Sequence, residues 1–263
     1  MNTVSIITNT PDIWRDCFPR PAASGHKYNR GHALIFAAPS LTGATRLAAG
    51  ACSRIGAGLV SVLVHDNGDI YRATLDADIM VSDGQAINAD KIAVAMGGSG
   101  GMDDQDYQAL LQNRYNCPRV FDADAIPHSQ DFSKLDSHCV LTPHGGEFAR
   151  KFPDLSGDKA DMALDAAKAT GAIVVLKGAE TIIAHPDGRR IVNVHASPYL
   201  AKAGTGDVLA GMIAGLIAQR MPIFEACCAG VWMHGDAAIR FGPGLIASDI
   251  IDIIPAILGD ILT

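Results

Sequence analysis

The stretch Ala33–Val64, ALIFAAPSLTGATRLAAGACSRIGAGLVSVLV, decides the fold class of this chain. It opens with an apolar run over residues 33–37, continues with a segment rich in Ala and Leu over 45–55, and closes with a second apolar run over 59–64. Strands that are buried on both faces have such continuous apolar sequences. A helix between two of them predicts a strand–helix–strand unit with parallel strands.

The same alternation continues along the chain. Further strands are predicted at 92–96, 119–122, 139–142, 173–176, 181–184 and 190–194, and further helices at 162–170, 207–220, 223–240 and 248–260. The last two strands flank Pro186-Asp187-Gly188, which predicts an antiparallel hairpin. We therefore predict an α/β fold with three αβα layers, a mostly parallel central sheet and an antiparallel edge hairpin. Without a linker or repeat, residues 1–263 are predicted to form one domain, with residues 1–25 as an irregular N-terminal segment.

Composition excludes several classes of protein. The formal net charge is -7 and the sequence has no Lys/Arg cluster, which argues against nucleic acid as the main partner. Apolar stretches such as 208–218 are interrupted by glycine and too short to span a membrane. The six cysteines show no CxxC spacing, and we interpret them as buried thiols in a reducing compartment. The N-terminus does not resemble a signal peptide, so we expect a cytoplasmic protein.

The segment Ala203-Gly204-Thr205-Gly206-Asp207 carries the strongest chemical signal, because two glycines and an acid open an apolar helix. Backbone N–H groups at a helix N-terminus bind anions, and glycines let a phosphate approach closely. A carboxylate beside that anion site is suited to act as a base towards a hydroxyl. An equally favoured interpretation of this segment alone is that Asp207 is an ordinary helix N-cap.

Polar residues follow several other predicted strands, and parallel strands place such residues on one rim of the sheet. Lys177 is a candidate phosphate partner, or a solvated loop lysine. Asp122 and Asp124 are candidate Mg²⁺ ligands through water, or a capping pair, and Glu147 either joins them or only complements a helix dipole. His144 could contact a substrate or lie at the surface. The other histidines show no metal-ligand spacing, and we interpret them as structural or surface residues.

Taken together, these segments resemble a known family. They are His26–Gly31, Gly43-Ala44, Arg54–Val60, Gly98-Ser99-Gly100, Asp122–Ala125, Leu141–His144, Gly146–Phe148, Val175–Gly178, Pro186–Gly188 and Gly204–Gly211. From about residue 26 to the C-terminus, the set resembles the ADP-dependent NAD(P)H-hydrate dehydratase family, which has a ribokinase-like fold. The combination of motifs is specific, whereas each piece alone is not.

The resemblance implies a reaction and a set of site residues. The family repairs hydrated NADH or NADPH: ADP phosphorylates the ring hydroxyl, phosphate is eliminated, and NAD(P)H, AMP and phosphate result. Asp207 would be the base of the phosphoryl-transfer step. The substrate would meet Ala44, Gly100, His144 and Asp207. The nucleotide would be bound by Lys177, Gly178, Ala179, Glu180, Thr181, Gly204, Thr205 and Gly206.

The chain departs from the family pattern at three places, the first being Gly145-Gly146-Glu147 in place of Pro-Gly-Glu. Ala203 replaces a glycine, which is tolerable if φ is negative there, and residues 193–197 replace an Asn-Pro-Thr-Gly-Asn segment that helps to shape the nucleotide site. The resemblance further implies Mg²⁺, ADP or ATP as co-substrate, and a homo-oligomer, often a tetramer. The epimerase that is often fused ahead of the dehydratase would be a separate protein. A small-alcohol kinase of the same fold and a catalytically silent nucleotide-binding homologue are the alternatives.

Overall fold

A computed structural model describes residues 6–83 and 87–263 of the chain. Its ten strands are β1 (Ile7–Thr8), β2 (His32–Phe36), β3 (Leu59–Leu63), β4 (Met80–Ser82), β5 (Val94–Gly97), β6 (Arg119–Phe121), β7 (Cys139–Leu141), β8 (Ile173–Leu176), β9 (Thr181–Ala184) and β10 (Arg190–Asn193). The α-helices are α1 (Thr42–Arg54), α2 (Gly68–Thr74), α3 (Asp104–Leu111), α4 (Gly145–Lys151), α5 (Lys159–Thr170), α6 (Thr205–Ala218), α7 (Ile223–Phe241) and α8 (Ala247–Leu262).

The strands form one sheet in the order β1-β10-β9-β8-β7-β6-β5-β2-β3-β4. The pairs β8–β9 and β9–β10 are antiparallel, and all the other neighbours are parallel. Side chains of one strand alternate between the two faces, as in β2, where Ile35 and Leu34 belong to different hydrophobic cores. The predicted three-layer fold with a mostly parallel sheet is therefore confirmed.

Each face of the sheet is covered by its own helices. The first core packs α1, α6, α7 and α8 against the sheet, and it includes Cys52, Cys227 and Cys228. The second core packs α3, α4 and α5 on the opposite face, and it includes Cys117 and Cys139. All six cysteines are free thiols, and only Cys17 among them is not buried. None of the helices in the described ranges is both long and apolar enough to cross a membrane.

The N-terminal segment is more ordered than predicted. Ile7 and Thr8 pair in parallel with Ile191 and Val192, so β1 forms the edge of the sheet and the predicted hairpin β9–β10 lies one strand inside it. Residues 11–13 and 15–17 form 3-10 turns, and fully buried Trp14 lies between them. A two-residue strand carries no periodicity that a sequence could reveal, which explains why the sequence predicts an irregular segment here.

Candidate active site

The carboxyl ends of four adjacent strands build the floor of the site. Ser99 follows β5, Asp122 follows β6, Thr142 follows β7 and Lys177 follows β8, and these strands are neighbours in the sheet. We call these four residues the Asp122 cluster. Parallel strands with helices on both faces place such residues together at one rim, as the sequence predicted.

The carboxylate of Asp122 is saturated with hydrogen-bond donors. Its Oδ1 accepts from Thr142 Oγ1 at 2.6 Å and from Lys177 Nζ at 3.0 Å, while its Oδ2 accepts from Ser99 Oγ at 3.0 Å. Asp122 is only 2% exposed. A buried carboxylate with an ion-pair partner and two hydroxyl donors has its desolvation compensated.

The backbone beside Asp122 has an unusual conformation. Gly98 has φ of 105°, and a Cβ there would lie 1.8 Å from the carbonyl oxygen of Asp122. On the other side, Ala123 has a positive φ of 42°, which is costly for a residue with a side chain. The loops after β5 and β6 therefore approach each other closely, and only glycine fits at position 98.

Asp207 lies above this cluster, in the first turn of α6. The helix begins at Thr205, and its N-cap is Gly204, with φ of 91° and no capping side chain. The interpretation of Asp207 as the N-cap is therefore wrong, because its position is the third residue of the helix. A Cβ on Gly206 would be 3.3 Å from Lys177 Nζ, so the glycine loop lies directly against the ammonium group of the Asp122 cluster.

The environment of Asp207 makes its carboxylate more basic than usual. Burial, together with the nearby charge of Asp122, raises the pKa of Asp207 to about 6. A hydrogen bond from Ser99, the charge of Lys177 and the residue's own backbone N–H oppose this rise in pKa in part. A carboxylate with a pKa near the working pH is a good general base, and Asp207 has this property. The carboxylate of Asp122, in contrast, is occupied by three hydrogen-bond donors.

A buried histidine supports the glycine loop from below. His234 of α7 is 7% exposed, and its Nε2–H donates to the carbonyl of Thr205 at 2.9 Å. Burial lowers the pKa of His234 to about 4, so the ring is neutral. Nothing in the sequence pointed to this role, because His234 lies on an apolar helix 29 residues after Thr205.

Two of the predicted substrate residues are neighbours. A Cβ on Gly100, which has φ of 84°, would lie 2.8 Å from the Cβ of Ala44. Gly100 also follows Ser99 directly, so this pair of small residues adjoins the Asp122 cluster. The start of α1 and the loop after β5 therefore pack closely, and a side chain at position 100 would clash with the carbonyl oxygen of Leu41 at 2.5 Å.

His144, the third predicted substrate residue, caps a helix. Its Nδ1 accepts from the backbone N–H groups of Gly146 and Glu147 at 3.0 and 3.3 Å, and its own backbone N–H donates to Glu147 Oε2 at 2.8 Å. Glu147 thus completes a reciprocal capping box at the start of α4. The His144 side chain is still 54% exposed at the rim, next to Lys177, with which it forms a β-bridge.

The predicted nucleotide segment 177–181 is the turn between β8 and β9. Gly178, Ala179 and Glu180 are exposed, whereas Thr181 is buried at the start of β9. Lys159, at the start of α5, donates its ammonium group to the carbonyl oxygens of Glu180 and Lys177, the latter at 3.4 Å. Partial burial lowers the pKa of Lys159. The sequence analysis missed Lys159, which precedes Lys177 by 18 residues and holds the turn in place through these hydrogen bonds.

The three carboxylates suggested for Mg²⁺ do not form a protein cage. Asp122 is engaged by its three donors, Asp124 is exposed, and Glu147 is used in the capping box. Within residues 6–83 and 87–263, the one group of three ligand atoms from His, Cys, Asp or Glu within 4.8 Å of one another is that of His65, Asp103 and Asp106. The predicted residues therefore do not fit a metal held by protein ligands alone.

The departures at Ala203 and in the segment 193–197 are accommodated structurally. Ala203 is exposed and its φ is not positive, so its methyl group is tolerated. In the segment 193–197, the ring of His195 stacks on Trp232 with centroids 4.5 Å apart, and its Nε2 lies 2.9 Å from Asp236 Oδ1. The side chain of Asn193 donates to the carbonyl of His195 at 2.9 Å. The altered segment is thus fixed by contacts of its own.

Comparison with known proteins fits this geometry. Residues 33–255 match the model of the carbohydrate-kinase group described as NAD(P)H-hydrate dehydratase. The chain belongs to the NAD(P)H-hydrate dehydratase family. One relative, the ADP-dependent (S)-NAD(P)H-hydrate dehydratase of Neisseria meningitidis serogroup B, is 32% identical over 88% of this chain and 84% of its own length.

Other relatives of this dehydratase-family chain are longer. The bifunctional NAD(P)H-hydrate repair enzyme Nnr of Vibrio cholerae is 32% identical over 95% of this chain but only 54% of its own length. The chain thus spans about half the length of most of the curated relatives that it matches. Among solved structures, the ADP/ATP-dependent NAD(P)H-hydrate dehydratase of Bacillus subtilis, co-crystallised with ATP and Mg²⁺, has a TM-score of 0.82 and 27% identity, covering 98% of this chain and 99% of its own.

Proposed function

We propose that this chain is an ADP-dependent dehydratase that converts hydrated NADH or NADPH to NAD(P)H, with AMP and phosphate as the other products. The observation that carries the proposal is the position of Asp207, a basic carboxylate in the first turn of α6, beside the glycine loop and the Asp122 cluster. Membership of the dehydratase family and the named relatives support the same reaction. A hydroxyl of the substrate and a phosphoryl group of the nucleotide would meet at this point.

The first chemical step is phosphoryl transfer. The oxygen of the ring hydroxyl forms a bond to the β-phosphorus of ADP, the bond from that phosphorus to the AMP oxygen breaks, and the hydroxyl proton passes to the carboxylate of Asp207. The N–H groups at the start of α6 would stabilise the charge on the phosphoryl oxygens. Because the pKa of Asp207 is about 6, most of the carboxylate is ionised at neutral pH and still basic enough to accept the proton.

The second step is elimination. The lone pair of the ring nitrogen expels phosphate with the electron pair of the C–O bond, and loss of a proton from the neighbouring ring carbon restores the reduced nicotinamide. Phosphate leaves far more readily than hydroxide, which is why the first step is needed. Ala44, Gly100 and His144 would contact the damaged dinucleotide on the rim beside Asp207.

The nucleotide would lie along the turn 177–181 and the loop Gly204–Gly206. The turn is fixed by Lys159, and Lys177 supplies a positive charge next to Gly206. Since Asp122, Asp124 and Glu147 do not form a cage, Mg²⁺ would be bound chiefly by the phosphates of the nucleotide. We assign no step of the reaction to the metal, and the choice between ADP and ATP stays open to measurement.

Three further properties stay predictions. A cytoplasmic location agrees with the six free thiols. A homo-oligomer, such as a tetramer, is expected from the family, and light scattering after size exclusion would measure it. Hydrated NADH or NADPH, rather than nucleic acid, is the expected partner.

The decisive experiment is the recovery of NADH absorbance from hydrated NADH, with ADP and ATP compared. We expect nucleotide-dependent recovery with the wild type, none with Asp207→Asn, and unchanged recovery with Asp165→Asn, an exposed aspartate on α5. A stable phosphorylated product from a thiazole or pyrimidine alcohol, without recovery of NADH, would show a small-alcohol kinase instead. Equal background rates in wild type and Asp207→Asn, with ADP still bound, would show a silent homologue.

A further inference from the structure

We propose that the groove between α1 and α8 binds the adenosine half of the dinucleotide substrate, and that Arg46 contacts its diphosphate. This inference rests on the proposed function, since that function makes the substrate a hydrated dinucleotide. In that proposal Ala44, Gly100 and His144 contact the substrate close to the ring that reacts. The diphosphate, the second ribose and the adenine need a further surface, and the groove provides it.

The groove adjoins the candidate active site. It has a volume of about 400 Å³ and lies between α1, α8 and the segment that follows α2. At the start of α1 it is lined by Gly43, the neighbour of the predicted substrate residue Ala44, and by Leu47. A Cβ on Gly204 would lie 2.7 Å from Leu47 Cδ1 and 2.9 Å from the Cβ of Ala247. Leu47 therefore lines the groove and also supports the glycine loop, so the two sites are continuous.

The geometry of phosphoryl transfer directs the substrate towards this groove. The attacking and leaving oxygens lie roughly in line on opposite sides of the transferred phosphorus, so the two ligands extend in opposite directions. We place ADP along the turn 177–181, which follows β8, and β8 lies on one side of β5 in the sheet. Strand β2, which leads into α1, lies next to β5 on the other side. The dinucleotide therefore extends past the start of α1, where the groove begins.

Arg46 is suited to contact the diphosphate. It lies about one turn of α1 after Gly43, lines the groove and is exposed. Among residues 6–83 and 87–263, the guanidinium group of Arg46 has no hydrogen-bond or ion-pair partner, although the net charge of the chain is -7. A guanidinium group presents parallel N–H donors that match the oxygens of a phosphate. The groove thus offers an uncompensated cation at the end where the diphosphate would enter.

The rest of the groove offers donors, acceptors and apolar contact. Arg54 lies about 12 Å beyond Arg46 along α1, at roughly 1.5 Å per residue. Asp76, in the segment after α2, and Asp252 of α8 line the same groove, and Ile251 adds an apolar side chain. Carboxylates accept hydrogen bonds from ribose hydroxyls and from amino groups such as that of adenine. These groups match the chemistry of an adenosine.

Gly43 allows the groove to be blocked without damage to the fold. Within the described part of the chain, a Cβ at this position meets no heavy atom within 4 Å, so Gly43→Leu adds a side chain at the groove without a clash. Gly259 of α8 is a second helical glycine with the same open space among the described residues, and it is exposed outside the groove. Leucine favours helix more than glycine does, so neither variant should lose stability, and thermal unfolding checks this. Gly259→Leu is therefore the matched control.

The test measures binding through the fluorescence of reduced nicotinamide, with saturating AMP to fill the nucleotide site. The probes are NADH and reduced nicotinamide mononucleotide, which lacks the adenosine half, and the wild type should bind NADH more tightly. Gly43→Leu and Arg46→Ala should each raise the Kd for NADH about 10-fold, the scale of a lost charged hydrogen bond, and change the Kd for the mononucleotide far less. Gly259→Leu and Arg114→Ala, at exposed positions outside the groove, should leave the Kd for NADH unchanged.

The outcomes separate this inference from the proposed function, because the titration needs no turnover. Failure of the wild type to bind NADH, equal affinities for the two probes, or a Kd for NADH that Gly43→Leu and Arg46→Ala leave unchanged would each overturn the inference, even in an active dehydratase. If the Kd values change as expected but the wild type does not recover NADH from its hydrate, the proposed function fails and the groove still binds a dinucleotide. In an active enzyme, both variants should raise the KM for hydrated NADH with little change in kcat.

Discussion

Asp122 and Asp207 are two carboxylates in one site with opposite surroundings. Asp122 follows a strand, is almost fully buried, and accepts from a lysine and two hydroxyls. Asp207 opens a helix, is half-buried, and has fewer donors than its burial requires, so its pKa rises to about 6. Asp122 is thus paired with a cation and two hydroxyl donors, whereas the raised pKa of Asp207 suits the role of proton acceptor that we propose for it.

This difference teaches that residue type alone does not assign a catalytic role. Hydrogen-bond donors and a nearby cation stabilise an ionised carboxylate, whereas burial and a nearby anion destabilise it. Two acids whose environments differ in this way divide the work of a site between them. The charge of Asp122 is itself one cause of the basicity of Asp207, so the two roles depend on each other.

The largest effect is expected for Asp207→Asn, which removes the base. Turnover should fall about 10²- to 10⁴-fold, because general base catalysis contributes on that scale. The substitution should also stabilise the fold at pH 7 by on the order of 2 kcal/mol, because it removes a buried charge whose folded pKa lies above its unfolded value.

The stabilisation by Asp207→Asn has a defined dependence on pH. The raised folded pKa makes ionised Asp207 unfavourable, so the advantage of asparagine should be absent below about pH 4, grow up to about pH 6, and stay constant above it. Urea unfolding across this range measures it, with Asp165→Asn as control. If Asp207→Asn lowered the free energy of unfolding at pH 7, the ionised Asp207 would be stabilised by its surroundings, as Asp122 is, and the difference between the two acids would not hold.

Lys177→Met tests the surroundings of Asp122. Here the substitution should lower the free energy of unfolding, whereas Asp207→Asn should raise it. Removing the ammonium group leaves Asp122 buried with two hydroxyl donors and no counter-charge, so we expect a loss of about 3 kcal/mol in the free energy of unfolding. Denaturation at pH 7.5, which is about 3.6 units above the unfolded pKa of Asp, measures it. The same substitution at Lys168, which is exposed on α5, should cost little. Equal stabilities of the two variants would show that the ion pair does not stabilise the site.

His234→Leu tests the support of the glycine loop. Loss of the hydrogen bond to the Thr205 carbonyl should cost about 1 kcal/mol at neutral pH. His234 has a folded pKa of about 4, so only the unfolded chain binds its proton between about pH 6.5 and 4, and the wild type loses stability there. The difference between leucine variant and wild type should therefore shrink as the pH falls. A difference independent of pH would contradict a neutral buried ring; His138→Leu, at an exposed position, is the control.

Glu147→Ala should have the smallest effect. Glu147 closes the capping box of α4 with His144, and loss of a cap costs about 1 kcal/mol. Turnover should fall only a few fold, because this third carboxylate of the rim holds a helix end rather than a reacting atom. Thermal unfolding with parallel rate measurements checks both. A fall in turnover as large as that for Asp207→Asn would place Glu147 in the chemistry itself.

Much of the fold is readable from the sequence, because buried parallel strands are continuous apolar runs. The runs over residues 59–64 and 173–176 leave little choice of structure. Strand β4 was missed since Met80–Ser82 is a half-exposed edge strand without such a run. Helix α2 was missed too. The residue before it, Asn67, has a left-handed backbone conformation that the sequence does not predict.

The site was predictable to the extent that it depends on strand ends. Asp122 and Lys177 were singled out because a parallel sheet places its carboxyl ends on one rim, and Asp207 because two glycines and an acid open an apolar helix. His234 and Lys159 were not, since their roles come from tertiary contacts with the loops at Thr205 and Glu180 that no local pattern encodes. The division of roles between the two aspartates likewise depends on burial and on donors from three other strands.

The buried thiols divide between the two layers of the molecule. Cys52, Cys227 and Cys228 belong to the core under α1, α6 and α7, whereas Cys117 and Cys139 belong to the core on the other face. Burial raises the pKa of these thiols, so none reacts as a thiolate while its layer is closed. The rate at which each cysteine is alkylated therefore measures how often its own layer opens. With no label built into the chain, alkylation of its own cysteines reports whether the layer that carries α6 opens before, after or together with the layer that carries α4.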